Sequence, residues 1–250
     1  MKNRRKMTVA AAVILAAAAA ACLGAVIVRK EKLKNADNEL VKERAVLDAV
    51  FPEKEAEILP FLPDTDGGPD SIPEAGSAPA ELFGRLIVPG TDLDLPVMMP
   101  DENDPDKYLH RDMYGKESLY GSVYADTAAG PEAVSLVLYG HHMKNGAMFG
   151  LLENYLDESW CENHRELILR TRAGTCRYAP SAVIRFSPDD PETAKALSFV
   201  RPSDPQYLAG KARETGKLYS VPESEKHLVL VTCEYSAKDG KLAVIFDLKE

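Results

Sequence analysis

From Glu81 to the C-terminus, apolar residues come in short runs cut off at close intervals by turn residues. Leu82 to Val88 precedes Pro89-Gly90, Leu93 to Met99 precedes an acidic loop, and Ala133 to Tyr139 precedes Gly140. Further runs are Glu166 to Thr171, Arg177 to Phe186, His227 to Thr232 and Lys241 to Leu248. Such runs are too short for core helices and do not alternate regularly with helical segments. They predict a mainly β domain, an antiparallel or mixed barrel, with helices as insertions. Two insertions carry start signals, Asp190-Pro191-Glu192 and Asp204-Pro205, each an N-cap residue followed by proline at the first helical position. Gly216 would end the second. A third helix is predicted over Phe149 to Leu156, where Phe149, Leu152, Tyr155 and Leu156 share one face.

The sequence ahead of this domain changes character three times. Lys2, Arg4, Arg5 and Lys6 precede an uncharged run from Thr8 to Val28, which would span about 31 Å as a helix, the thickness of a bilayer core. The basic cluster lies ahead of the run, so residues 1–7 are expected in the cytoplasm, 8–28 in the membrane and the rest outside the cell. Ten of the run's residues are alanine, which contributes little insertion energy, so a cleaved signal peptide stands as the alternative. Residues 29–58 are rich in Lys, Glu, Ala and Leu and read as a helical stalk. Residues 59–80 are rich in Pro, Gly, Asp and Ser and read as a linker, because they offer too little apolar surface to offset ordering entropy. The catalytic domain is then 81–250. A formal charge of −9 excludes nucleic acid as a natural partner, since such partners recruit clustered Lys and Arg.

Cysteines stand at 22, 161, 176 and 233, without zinc-ligand spacing. Three lie beyond the apolar run, and an odd number in an exported domain leaves at least one unpaired or reactive. A Cys161–Cys176 disulfide is one reading, two small buried residues the other. A nucleophilic cysteine needs a proton partner, and histidine suits the task. His141 ends one apolar run and Cys233 another, both where buried strands open into loops.

The residues around this pair carry a resemblance. Leu138-Tyr139-Gly140-His141-His142-Met143-Lys144-Asn145-Gly146-Ala147-Met148-Phe149 resembles the histidine motif of class B sortases, and Val229-Leu230-Val231-Thr232-Cys233-Glu234-Tyr235 their cysteine strand. Ile87 to Thr91, Tyr108 to Asp112 and Gly121 to Asp126 fit the same family in the same order. The resemblance covers residues 81 to 250 and implies a closed mixed β-barrel of the sortase type with helical insertions. It implies that Cys233 is the nucleophile and His141, rather than His142, its acid/base partner, because adjacent residues in extended chain face opposite ways. His142, His110, His164 and His227 are then packing or surface residues.

The family carries an arginine on its final strand; here the position falls on Lys241, and no arginine follows Cys233. Lysine keeps the charge but loses the planar fork of donors. The resemblance implies a cysteine transpeptidase that cleaves the C-terminal sorting signal of exported proteins through a thioester and transfers them to an amine of the cell-wall precursor. Lys241 and the backbone N–H of Glu234 are the expected oxyanion donors, with Asp126 as a group that could orient the histidine or cap a turn. The substrate groove is expected at the insertion between Phe186 and His227. No metal or organic cofactor is implied, and the acidic runs Asp101 to Asp106 and Asp189 to Glu192 read as solvated loops and helix starts. Because of Lys241, a catalytically weakened module that binds sorting-signal peptides is the alternative function.

Overall fold

The computed structural model describes residues 2–52, 78–127, 135–187, 189–198, 205–222 and 226–249. Most of the expected linker at 59–80 lies outside these residues. The chain divides into two compact units, residues 1–41 and residues 42–250. The first is the greater part of a long helix, α1 (Lys2–Val50). Among the described residues no helix is long and apolar enough to cross a membrane. The expected span at 8–28 falls largely on residues whose side chains lie outside the description.

The second unit is a barrel of eight strands: β1 (Leu82–Ile87), β2 (Asp94–Met98), β3 (Val123–Ala125), β4 (Ser135–Tyr139), β5 (Leu167–Thr171), β6 (Gly174–Phe186), β8 (His227–Cys233) and β9 (Lys241–Leu248). The order is β5-β1-β2-β3-β4-β8-β9-β6, and pairing of β5 with β6 closes the ring. A two-residue strand, β7 (Lys217–Leu218), adds to β6 outside it. The expected mixed character comes from two parallel pairs, β2 with β3 and β4 with β8; the other contacts around the ring are antiparallel. Strands β3 and β7 had no signal in the apolar runs, being too short to show a period.

Strands β4 and β8 are almost wholly buried, as a parallel pair covered on both faces must be. On one face Val137, Val229, Val231, Ala243, Ile245 and Ile184 pack against Leu208 and Ala212 of helix α4 (Pro205–Thr215). Alternation sends Leu136, Leu138, Leu228, Leu230, Val244 and Phe246 to the other face, the barrel interior. Gly216 ends α4 as expected, its N–H bonded to Ala212 O. A Cβ there would strike the Val183 carbonyl, so glycine lets the chain leave the helix against β6.

Asp190 accepts from the Thr193 amide at 3.0 Å and caps helix α3 (Pro191–Ser198). The segment Phe149–Leu156 is helical but wound as 3-10 turns, and a short helix, α2 (Glu158–Asn163), follows it. No disulfide joins Cys161 to Cys176.

The stalk reading needs correction at its end. The last turns of α1 and the residue that follows them, within the second unit, put Leu47 and Phe51 into a cluster with Leu82, Met98, Tyr108 and Tyr124. Polar contacts fasten the same turns: Asp48 pairs at 2.7 Å with Arg85, whose guanidinium also makes two 2.6 Å bonds to Asp94, and Arg44 bonds the carbonyls of Asp92 and Asp94. The charged and alanine-rich composition of this segment hid its two large apolar anchors.

Leu47 is fully buried, so Leu47→Ala is expected to cost about 2–5 kcal/mol. Denaturant unfolding of the full chain, followed by a probe in the barrel, checks this; a solvated stalk residue would change stability by less than about 0.5 kcal/mol.

Candidate active site

Strand register assembles the candidate site. In the parallel pair, Tyr139 stands opposite Val231, and Gly140 N–H continues the ladder to the Val231 carbonyl at 3.2 Å. His141 follows just beyond the end of β4, and Cys233 ends β8. In the antiparallel pair on the other side, Cys233 is the direct partner of Lys241, and Lys241 in turn of Phe186. Register partners share a face, so Cys233, Lys241 and Phe186 form one row across three strands, and His141 stands near enough to Lys241 to feel its charge. This is the face that carries Val229, Val231 and α4. Tyr139, Phe186, Tyr207 and Leu218 form an apolar margin along it.

The turn after β4 is fixed by close contacts. The ring of Phe149 lies where a Cβ on Gly140 would be, so only glycine fits before the histidine. Thr232 donates to the Gly140 carbonyl at 2.8 Å, and Phe149 N–H to the His141 carbonyl at 2.9 Å. His142 faces away from the row, as expected, yet it is more than packing. Its Nδ1 donates to the Cys233 carbonyl at 2.8 Å, its Nε2 lies 3.8 Å from Glu153, and its ring rests on Tyr235. The second histidine therefore ties the histidine turn to the backbone of the cysteine.

His141 Nε2 is 2.7 Å from the Leu109 carbonyl. A carbonyl only accepts, so Nε2 carries a proton, and in the neutral ring Nδ1 is the bare nitrogen. Leu109 is held in turn by Gly121, whose positive φ of 59° and missing Cβ allow its backbone against that carbonyl. Burial pushes the His141 pKa below the ordinary histidine value; the Leu109 bond opposes this, and the charges of His110 and Lys241 reinforce it. His110, expected to be a packing or surface residue, has its ring centroid 5.5 Å from that of His141 and so belongs to the site. The motifs holding Leu109, His110 and Gly121 were visible in sequence, but nothing local assigned them a role.

Lys241 Nζ lies 3.5 Å from Cys233 Sγ. The lysine at the expected arginine position thus reaches the sulfur. One other expectation is not met. The Glu234 N–H donates to the Gly240 carbonyl at 2.7 Å within the β8–β9 turn, so it is spent and is not an oxyanion donor in this conformation. Asp126 accepts from the Tyr139 hydroxyl at 3.1 Å, and the Leu109 carbonyl holds His141 at Nε2. The Glu234 side chain turns to the barrel end, 3.6 Å from Arg185. Burial disfavours its charge, but Ser236 and Arg185 outweigh this and hold the carboxyl below the usual glutamate range.

A half-buried cysteine ending β8, a half-buried histidine just beyond β4 and a lysine 3.5 Å from the sulfur on β9 are groups that thiol-based acyl transfer calls for, presented on a closed mixed barrel. The sortase domain family model matches residues 86–247, and the chain belongs to that family. Its relatives are of class B. It is 31% identical to Sortase B of Listeria monocytogenes over 86 residues, 34% of either chain, so this match spans only about a third of that relative's length. It is 24% identical to Sortase B of Staphylococcus aureus over 172 residues, covering 66% of this chain and 69% of that protein. The structure of a Staphylococcus aureus sortase B–substrate complex superimposes with a TM-score of 0.57 at 22% identity, covering 68% of this chain and 80% of that one.

The depressed His141 pKa gives a signed expectation. A group whose pKa is lower in the folded state contributes stability above its unfolded pKa and loses it as pH falls through the folded value. In an NMR titration, His141 should have its midpoint below 6.5, and Lys241→Met should move that midpoint upward by removing a repelling charge. An unchanged midpoint in Lys241→Met would show that the lysine charge does not reach the ring.

Proposed function

We propose that this chain is a membrane-anchored cysteine transpeptidase that cleaves a C-terminal sorting signal on exported proteins and joins them to an amine of the cell-wall precursor. The observation that carries this reading is the grouping of His141, Cys233 and Lys241, with the lysine ammonium 3.5 Å from the sulfur. The anchor is the uncharged run 8–28, with residues 1–7 in the cytoplasm and the catalytic unit outside the cell; the basic cluster from Lys2 to Lys6 supports that orientation. The peptide reading is supported by the substrate complex of the Staphylococcus aureus relative. The apolar margin of Tyr139, Phe186, Tyr207 and Leu218 supports a groove beside the insertion that contains α3 and α4.

The Cys233 thiolate attacks the scissile carbonyl, and the oxyanion that forms lies beside the Lys241 ammonium. As the intermediate collapses, protonated His141 gives the Nδ1 proton to the departing amine, leaving the acyl group as a thioester on Sγ. A depressed pKa makes the imidazolium a stronger acid, though a scarcer one. The incoming amine then attacks the thioester, Nδ1 takes its proton, and the C–S bond breaks to restore the thiolate. Through all of this Nε2 keeps its proton on the Leu109 carbonyl. The ring therefore stays in one tautomer.

The test is thioester capture and amine transfer with a library of sorting-signal peptides. Wild type should form a Cys233 adduct and Cys233→Ala none. His141→Ala and Lys241→Met should each lower kcat/KM by about 10²-fold or more, with Lys241→Arg above Lys241→Met because the charge is kept. Peptide binding by the wild type without any thioester would replace this reading with that of a peptide-binding module.

A further inference from the structure

The lysine beside Cys233 is chemically different from the guanidinium expected there. A guanidinium is charged at all accessible pH values and does not accept acyl groups, whereas a lysine amine, once deprotonated, is a nucleophile. Its place matters as much as its nature. Lys241 Nζ is 3.5 Å from Cys233 Sγ, and the acyl carbon of a thioester would sit one bond from that sulfur. The amine would then lie at near-attack distance from the reactive carbonyl without any diffusion step, an arrangement that makes intramolecular transfer effective. The direct β8–β9 pairing of Cys233 with Lys241 sets the two side chains on one face. The His141 ring lies within electrostatic reach of the lysine, with Nδ1 bare.

Resting on the reading of Cys233 as the thioester-forming nucleophile, we propose that Lys241 is itself an acyl acceptor, which takes the acyl group from Cys233 when no outside amine arrives. The Nζ lone pair attacks the thioester carbonyl, the N–C bond forms, and the C–S bond breaks with its electron pair on sulfur. The surplus amine proton passes to His141 Nδ1 and from there to the thiolate. The products are an amide on Lys241 and a free Cys233 thiol, and no oxidant or further reagent is consumed. The transfer removes the positive charge beside the sulfur and fills the site with a stable acyl chain. Turnover without an acceptor therefore ends in self-inactivation.

The probe is N-acetylglycylglycine benzyl thioester, which acylates thiols by exchange and amines slowly. The full chain is incubated with it in the absence of any amine, and samples are split between hydroxylamine, which cleaves thioesters, and buffer. Digestion and fragment-ion mass spectrometry then locate the acyl group. The expected course is a hydroxylamine-labile adduct on Cys233 that decays into a resistant adduct on Lys241, recognised also by lost tryptic cleavage before Leu242. Only an amine that has lost its proton attacks a carbonyl, so the second step should speed up as the pH is raised. Cys233→Ala should abolish both adducts.

A Cys233 adduct that only hydrolyses overturns the inference and leaves the transpeptidase reading standing. Acylation of Lys241 in Cys233→Ala, or labelling of exposed Lys238 to the same degree, overturns it as well, since either marks direct reaction with the probe. No adduct on either residue removes the transpeptidase reading and the inference together.

Discussion

The parallel pairing of β4 with β8 is the constraint on which the site depends. A parallel pair requires a long connection between its strands, and here that connection carries β5, β6, α3, α4 and β7 around the barrel before the chain returns to lie beside β4. Burial of both faces specifies the register, because a slip by one residue would exchange the interior leucines with the face packed on α4. That register brings the end of β4, with His141 just beyond it, beside the end of β8 at Cys233. Three bonds lock it at the open end: Gly140 to Val231, Thr232 to Gly140, and His142 to Cys233. The antiparallel contact of β8 with β9 then adds Lys241 on the other flank.

Within this grouping, the electrostatics favour a neutral imidazole beside a cation. Burial, His110 and Lys241 all oppose a second positive charge on His141, and the bond to Leu109 offsets only part of this. In the proposed reaction the same lysine serves the sulfur and a developing oxyanion, so one charge acts on both. It does so as a point charge on a flexible stem, unlike the planar fork of an arginine. With the Glu234 N–H closed into the β8–β9 turn, the proposed oxyanion stabilisation falls more heavily on Lys241 than the sequence suggested.

Much of this was legible in the residues. Strands long enough to show a run, from β1 to β9, fall close to where the apolar runs lie, and the Asp190 cap sits where its side chain predicts. Cys233 and His141 were legible because local motifs surround them. Legibility failed where the deciding contact is distant in sequence. Leu109 and His141 are brought together by tertiary packing, as are His142 and Cys233, and Leu47 with Leu82. Strand β3 is too short for a period, and the Glu234 amide looked available because its acceptor, Gly240, is reached only when the turn closes.

Residue type and local pattern by themselves determined the class of fold, the candidate cysteine and histidine and the absence of a fork-shaped donor at position 241, since these follow from side-chain chemistry and short-range order. The folded barrel decided the rest: which histidine nitrogen is free, which amide is spent, and how near the lysine comes to the sulfur. Those depend on distances between strands far apart in the chain. Such distances are set by the closed ring of hydrogen bonds and the packing on both its faces, not by any stretch of neighbouring residues.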